Sequence, residues 1–534
     1  METKTVWCVK RCLQGISNLN HKKAEAKLRL FCVRHLRYTA FVKEKLVLYW
    51  SRRDFRLRDN PALSAAISYS KKENISFLPI FVVEDYMCAS DPKFQFGYPS
   101  RYFLSNALPQ FFSKFKTYAV LKGKGAKTIM QFHKAFELSV FVNEDVYPDF
   151  YKQIAKLRDG GVSLHIHKDQ MTVERNTFTG GGKQYSVFTP FKNKVWQSFI
   201  ESTEASKPDI NSVTYLKEVA IPKSLVQLKN TFEVLMKTFG SDRKCSVGGD
   251  TFEIDNHIPF LPNLESWYLS EKEAQATFKQ FLKQGMSTYK DDRNFLAIPG
   301  TSRMSLALTW GLTSARILKN EVQKHFESDF SNPFSSYTNE GALHFISELI
   351  WREFYKYLFF HDSKLMDTEF QLRYRGTIAW IEHSEAKKRF TAWVEGKTGY
   401  AVVDAAMMEL AHTGWMHNRA RMVVASILTK NLGVDWRWGQ EYFRAMLIDL
   451  DDASNNGGWQ WGASVGADPK PIRIFNPYLQ AENYDKEGEY QKKWLGEVRF
   501  ASTSTPIIPH AHARSEALKR YGLSTTNEET PRDS

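Results

Sequence analysis

Three short segments carry the residue types from which a binding or reactive site could be built. The densest is Asp449-Leu450-Asp451-Asp452-Ala453-Ser454-Asn455-Asn456-Gly457-Gly458-Trp459-Gln460-Trp461. Three acids, two asparagines and two glycines occur there within an aromatic-rich, otherwise apolar region. Such groups are costly to bury unless they bind something; the plainer reading is an exposed loop. Calcium would want alternating oxygen ligands closed by a Glu, which this spacing does not offer. A large aromatic cofactor with polar edges suits it better. Gly300-Thr301-Ser302-Arg303-Met304-Ser305 offers three hydroxyls, a guanidinium and helix-start amides, the makings of an anion cradle. Taken alone it is more simply a helix cap. Trp415-Met416-His417-Asn418-Arg419-Ala420-Arg421-Met422 places Asn418, Arg421 and Met422 near one helix face, where a solvated amphipathic helix is the ordinary alternative.

Other candidate motifs carry less. Gly123-Lys124-Gly125-Ala126-Lys127-Thr128 lacks the Gly directly before Lys that a phosphate loop needs, and Gly180-Gly181-Gly182-Lys183 is followed by Gln184 instead of a hydroxyl. Both read as turns. Five cysteines are too few and too scattered for a disulfide framework. Cys8, Cys12, Cys32 and His35 could formally hold zinc, but unrelated thiols are the simpler reading, and no iron–sulfur spacing is present.

The elements that must position these residues fall into two rhythms. Leu46–Trp50, Ile75–Val83, Tyr118–Leu121, Ser139–Asn143 and Val162–Ile166 read as buried strands. Helical patterns at Ala62–Ser70, Arg101–Phe115, Ala126–Phe136 and Asp149–Leu157 lie between them. This alternation predicts an α/β domain over 46–178 with a parallel sheet covered on both faces. A polar, irregular stretch over 179–265 reads as an interdomain connection with a little local structure. Strand signals then vanish. Ser270–Gln284, Ser302–Asn320, Gly341–Phe360, Tyr400–His412 and His417–Asn431 have helical apolar spacing, so an all-helical domain is expected over 266–510, followed by a ragged tail over 511–534.

The chain has 534 residues with 43% hydrophobic and 25% charged content, which excludes general disorder, and its apolar runs are too short to span a bilayer. Lys and Arg number 73 against 59 Asp and Glu, a net charge of +14. Nucleic acid is the first partner this suggests, an anionic membrane surface the second, and solubility alone a third. Residues 1–45 supply 11 basic residues against three acids, +8 of that total, leaving +6 over the other 489. This basic N-terminal extension has the acid scarcity of a transit peptide but little Ser; a basic arm is a second reading, and an extension without a role is preferred. Nine of the 14 tryptophans lie between Trp351 and Trp494, which strains the usual explanation of core packing.

With these residues in view, the chain resembles the cryptochrome/photolyase family, most closely its class I cyclobutane-pyrimidine-dimer DNA photolyases. The resemblance runs from about Leu48 to Tyr521. It is carried by Trp50-Ser51-Arg52-Arg53-Asp54-Phe55-Arg56-Leu57-Arg58-Asp59-Asn60, by Glu348-Leu349-Ile350-Trp351-Arg352-Glu353-Phe354-Tyr355, and by the Trp415–Met422 and Asp449–Trp461 segments. It implies a Rossmann-like α/β antenna domain, a linker, and an all-helical FAD-binding domain. Tyr289 and Thr301, Ser302, Arg303, Met304 and Ser305 match positions that hold FAD and its pyrophosphate. Asn418, Arg421, Asp449, Leu450 and Asp451 match those around the flavin ring, and Asn455 the residue facing flavin N5. Arg293, Glu348, Trp351, Asn418, Arg419, Met422, Trp461 and Gln480 match contacts to damaged DNA.

The implied activity is light-dependent repair, in which photoexcited reduced FAD lends an electron to a flipped-out dimer and recovers it after the ring opens. Flipping is required because a dimer within a duplex cannot reach a buried flavin. Arg293 and Arg419 would attract phosphates. Trp351 and Trp461 would stack the flipped bases, worth about 1–3 kcal/mol per base. Glu348, expected in an apolar setting with a raised pKa, would donate a hydrogen bond to a thymine carbonyl. A relay of tryptophans is implied as well: Trp459 and Trp436 match its inner members. For the outer one Trp380 is chosen, because His383 lies near where that indole could fall in a loop of altered length. The antenna pigment is expected to be folate or deazaflavin, with an empty site as a third reading. In Asn143-Glu144-Asp145 the last residue resembles a deazaflavin-type contact, and Asp149 stands where folate-binding relatives have Asn. UV-damaged DNA is the expected partner, with no membrane association; a cytoplasmic, DNA-associated monomer is expected.

Three other functions compete. A blue-light receptor of the cryptochrome type would favour Asp in place of Asn455, and its single-strand-preferring branch Tyr in place of Trp461. An enzyme for 6-4 photoproducts would want a histidine pair where Asn418 and Met422 stand. A non-catalytic nucleic-acid-binding module would leave Asp449–Asn456 without a role.

Overall fold

The computed structural model describes residues 43–523 apart from 89–95, 241, 243, 254–266, 328–329, 332–338, 468–471 and 502–504. Cys8, Cys12, Cys32 and His35 lie outside the described residues, as does nearly all of the basic extension.

Six strands form the first sheet: β1 (Glu44–Ser51), β2 (Ser76–Val83), β3 (Ala119–Lys122), β4 (Phe136–Asn143), β5 (Ser163–His167) and β6 (Val226–Leu228), in the order β5-β4-β1-β2-β3-β6. All neighbours are parallel except β6, which is antiparallel to β3. The central strands β1 and β2 are almost continuously apolar and buried, because helices cover both faces. The crossover helices are Pro61–Glu73, Tyr98–Phe112, Gly125–Ala135 and Pro148–Asp159.

The stretch 179–265 departs from expectation. It contributes β6 to the sheet, the helices Phe188–Ile200 and Phe232–Phe239, and a hairpin of β7 (Lys244–Val247) with β8 (Asp250–Glu253). Strand β6 is only three residues long and is held by β3, far back in the chain, so local periodicity hides it. Beyond it the chain is helical. The single helix expected over Ser302–Asn320 is broken into Ser305–Trp310 and Ala315–Phe326. Gly311 makes the break with a left-handed φ of 68°, and a Cβ there would lie 2.1 Å from the Arg53 carbonyl oxygen. The segment His417–Asn431 is α-helical over Asn418–Ser426 and ends in a wider π turn over Ile427–Asn431. The expected ragged tail begins instead with a helix, His510–Arg520, which buries Ala513 and Ala517. Arg520 donates to the carbonyls of Thr429 and Lys430 at that π turn, at 3.4 and 3.2 Å. No helix among the described residues is long and apolar enough to cross a membrane.

The motif at Trp50–Asn60 works as a clamp between the two halves. Asp59 accepts from Arg316 Nε at 2.9 and 3.1 Å, Arg316 also reaches Asp169 at 2.9 Å, and Arg56 pairs with the same Asp169. Arg53 donates to the Leu450 carbonyl at 3.5 Å and lies over the rings of Phe96, Tyr147 and Trp310. The first sheet thereby sets the position of the segment that opens the Asp449–Trp461 site.

Candidate functional site

A cavity of about 480 Å³ lies among the helices. Helix Glu340–His361 presents Phe345, Glu348, Leu349, Arg352 and Tyr355 to it, spaced three and four apart along one face, with Trp351 beside them. The Asn339 side chain caps this helix by accepting from Ala342 N. Helix Asn418–Ser426 adds Asn418, Arg421 and Met422, and is capped by His417 Nδ1, which accepts from Arg419 N at 3.1 Å. Asp451 caps helix Asp452–Gly462 through Ser454 N at 3.0 Å, and that helix brings Asn455, Trp459 and Trp461 to the wall.

Most charges in the wall are paired; Arg352 instead donates to the carbonyls of Gln170 and Leu308 and to Gln170 Oε1. Arg421 Nη2 meets both oxygens of Asp449 at 2.8 and 3.0 Å, and its Nε donates to the Met416 carbonyl at 2.8 Å. Lys356, 1% exposed, donates to Asp451 at 2.7 Å. Burial opposes the Asp451 charge, but Lys356 and Arg352 outweigh it and hold the carboxyl below the usual range. Asn455 lines the cavity and donates its amide nitrogen to the Gln440 carbonyl at 3.1 Å. His417 is pushed down to about 4 by burial, with Arg419, Arg421, Arg293 and Arg303 adding to the effect.

Glu348 is not in the apolar setting expected of it. Arg293 Nη1 donates to its carboxylate at 2.6 Å, so an ion pair stands where an isolated carboxyl was expected. The two residues are 55 positions apart, and a sequence pattern does not reveal such a pairing.

Tyr289, Arg293, Ser302, Met304, Ser305, Glu348, Trp351, Asn418, Arg421, Met422, Asp449, Asp451, Asn455, Trp459 and Trp461 all line this cavity. Other expected residues stand outside its lining. Thr301 is in the turn before Ser305–Trp310, and Arg303 lies over Trp267 and Trp415. Leu450 is buried and gives only its carbonyl, to Arg53. Arg419 is held by Asn294 at 2.7 Å and lies over Tyr484. Gln480 is buried. Trp436 is fully buried with the Arg437 guanidinium 4.7 Å from its ring centroid, and Trp380 meets Tyr521 edge-on at 6.2 Å. Trp459 packs on Phe443 at 5.0 Å and Trp393 at 6.0 Å. Arg352, Tyr355 and Phe345 were missed as lining residues. Their spacing around Glu348 on a 22-residue helix was the signal that could have found them.

The donor set suits FAD. The cavity is within the usual size for a cofactor pocket. Ser302 and Ser305 offer hydroxyls to a pyrophosphate, while Asn455 and the Arg421–Asp449 pair offer polar contacts to a ring edge. Gly439 lets the Trp459 indole close the wall, since a Cβ there would lie 2.0 Å from that ring. An antenna pigment is a different matter. Asn143 bonds Asp54, Asn60 and Ala62; Glu144 pairs with Arg175; Asp145 faces Arg52 at 3.7 Å; and Asp149 accepts from Gln153 at 2.6 Å. Arg52 in turn lies over Trp50 and Phe150. These side chains already have protein partners, so the structure by itself does not single out a pigment contact among them.

Comparison with known proteins agrees with this arrangement. Residues 47–209 match a family profile described as DNA photolyase, and residues 345–528 one described as the FAD binding domain of DNA photolyase. The chain is 32% identical over 464 residues to the deoxyribodipyrimidine photo-lyase of Synechococcus sp., covering 85% of this chain and 88% of that one. It is 36% identical over 368 residues to the Escherichia coli protein of the same name, covering 64% and 69%. The crystal structure of a bacterial class III photolyase from Agrobacterium tumefaciens superposes with a TM-score of 0.73 at 26% identity, over 91% of this chain and 98% of that one. By its sequence, its two-part fold and the residues gathered at its cavity, the chain belongs to the DNA photolyase family.

Proposed function

We propose that this chain is a light-dependent DNA-repair flavoenzyme that splits cyclobutane pyrimidine dimers. The observation that carries the reading is one cavity whose wall joins two sets of groups. Asn455, Arg421–Asp449 and the Ser302 and Ser305 hydroxyls suit FAD, and Trp351, Trp461 and the Arg293–Glu348 pair suit a flipped-out pyrimidine dimer. When bound, reduced FAD supplies the light-driven electron that opens the cyclobutane ring and takes it back with no net redox change. Trp351 and Trp461 offer aromatic faces to the extruded pyrimidines. Arg293, held at the cavity wall by donating to Glu348, is the charged donor of this pair and suits pyrimidine carbonyls on which negative charge develops. The Arg421–Asp449 and Lys356–Asp451 pairs balance these two acids, so that neither repels an electron-rich ring.

The test is light-dependent loss of cyclobutane dimers from irradiated DNA, assayed beside 6-4 photoproducts. Loss of the cyclobutane dimers alone is expected. No loss under blue light would overturn the reading in favour of a cryptochrome-type receptor, and removal of 6-4 lesions would overturn the substrate. Trp436 and Trp459 are proposed as inner members of a relay that reduces oxidised flavin, with Trp380 outside them. Trp436→Phe is expected to slow photoreduction by about tenfold or more, about 1.4 kcal/mol of barrier. Repair by chemically pre-reduced enzyme should be unchanged. Photoreduction at the wild-type rate would reject the relay.

A further inference from the structure

One of the two cavity tryptophans is backed by a ring from outside the helical region. Phe188, the first residue of helix Phe188–Ile200, stacks on Trp351 with centroids 3.6 Å apart and planes within 8° of parallel. Aromatic pairs left to themselves favour offset or edge-on arrangements with centroids about 4.5–7 Å apart. A close parallel stack is therefore an arrangement held by its surroundings. Those surroundings are a strap over 170–191 that runs along helix Glu340–His361 and returns. Arg352 donates to the Gln170 carbonyl at 3.0 Å, the Tyr357 hydroxyl donates to the Thr177 carbonyl at 2.8 Å, and His361 meets the Arg175 carbonyl at 2.8 Å. The strap turns at Gly180–Gly182 and comes back through Tyr185 N, which donates to Tyr357 Oη at 3.2 Å. Phe191 then packs on Phe354 and Tyr357 at 5.2 and 5.1 Å, fixing the helix that begins at Phe188.

An indole has two faces. A parallel ring at 3.6 Å occupies one of them, so anything else that stacks on Trp351 must use the other. We propose that Phe188 is a positioning residue for substrate: it locks the Trp351 ring so that a single face is offered to a flipped-out pyrimidine in the cavity. This deepens the repair reading and rests on it. Phe188 is buried, whereas Trp351 is only partly buried and lines the cavity, so Phe188 acts through Trp351. With the platform preformed, no rotamer entropy of the indole is lost when the base arrives.

The test replaces the flat ring without emptying the space. Phe188→Leu and Phe188→Met keep much of the volume and remove the flat face; Phe188→Tyr keeps the face. Binding of an oligonucleotide with one cyclobutane dimer is compared with the same undamaged oligonucleotide, alongside flavin content and melting temperature. Phe188→Leu and Phe188→Met are expected to weaken dimer binding roughly five- to tenfold. Binding to undamaged DNA and flavin content should stay at wild-type levels, and Phe188→Tyr should bind the dimer like the wild type. Unchanged dimer binding in Phe188→Leu and Phe188→Met overturns the proposal. So does equal weakening on both oligonucleotides, or a Phe188→Tyr variant as weak as Phe188→Leu. A wild-type chain that binds both oligonucleotides alike overturns the repair reading itself. Discrimination by the wild type that survives in Phe188→Leu overturns only the role of Phe188.

Discussion

Acidifying the protein from pH 7 to pH 4 is expected to remove about 3 kcal/mol of its stability through His417 alone. The imidazole is 4% exposed, and burial together with Arg419, Arg421, Arg293 and Arg303 lowers its pKa to about 4. In the unfolded chain the same group titrates near 6.5. Between those values the unfolded state binds the proton and the folded state does not, so stability rises with pH across that window. It is fully present above about 6.5 and is lost as pH falls toward 4. Geometry makes the loss local as well. Nδ1 must be unprotonated to accept from Arg419 N and cap the helix that carries Asn418 and Arg421. The neighbouring carboxylate, Glu409, is already engaged with His417 N at 3.1 Å and the Tyr490 hydroxyl at 2.8 Å. Urea unfolding of wild type and His417→Asn between pH 4 and 7 checks this. Asn keeps a capping oxygen and has no charge to gain, so its profile should be flatter over the window. Parallel profiles would show that His417 is not the responsible group.

Replacing Lys356 with Met is expected to cost about 3–5 kcal/mol, the usual consequence of leaving one charge of a buried pair alone. Lys356 and the Asp451 side chain are 1% and 9% exposed and meet at 2.7 Å. Their loss would be felt in the cavity, because Asp451 lines it and also caps the helix bearing Asn455 and Trp459. Bound flavin should fall together with the urea midpoint. Adding Asp451→Asn to Lys356→Met removes the stranded charge but keeps an oxygen for Ser454 N, so the double variant should regain most of the lost stability. A double variant no better than Lys356→Met would mean that packing, and not charge, sets the cost.

How far the sequence could be read depended on the reach of each interaction. The strands of the first sheet were legible from apolar runs such as Leu46–Trp50, because burial on both faces leaves little room for polar residues. Helix Glu340–His361 was legible from its period, within one residue at each end. The break at Gly311 was not, since it answers to the Arg53 carbonyl more than 250 positions away. Nor was the helix His510–Arg520, whose place depends on carbonyls freed at a π turn some ninety positions earlier.

The same division runs through the site. The sequence by itself determined which residue types were at hand: the acids and amides of Asp449–Asn456, the hydroxyls of Thr301, Ser302 and Ser305, and a cluster of tryptophans in the helical half. It also showed that most of the excess positive charge belongs to residues 1–45 and so says little about the cavity. Only the tertiary structure decided the partners. It paired Glu348 with Arg293 where an isolated carboxyl was expected, turned Arg303 and Arg419 onto aromatic rings outside the cavity lining, and laid Phe188 against Trp351. The physical reason is that period and composition record whether a residue faces the core or the solvent. The charge or ring opposite it is supplied by another element, and only the packing of those elements brings the two together.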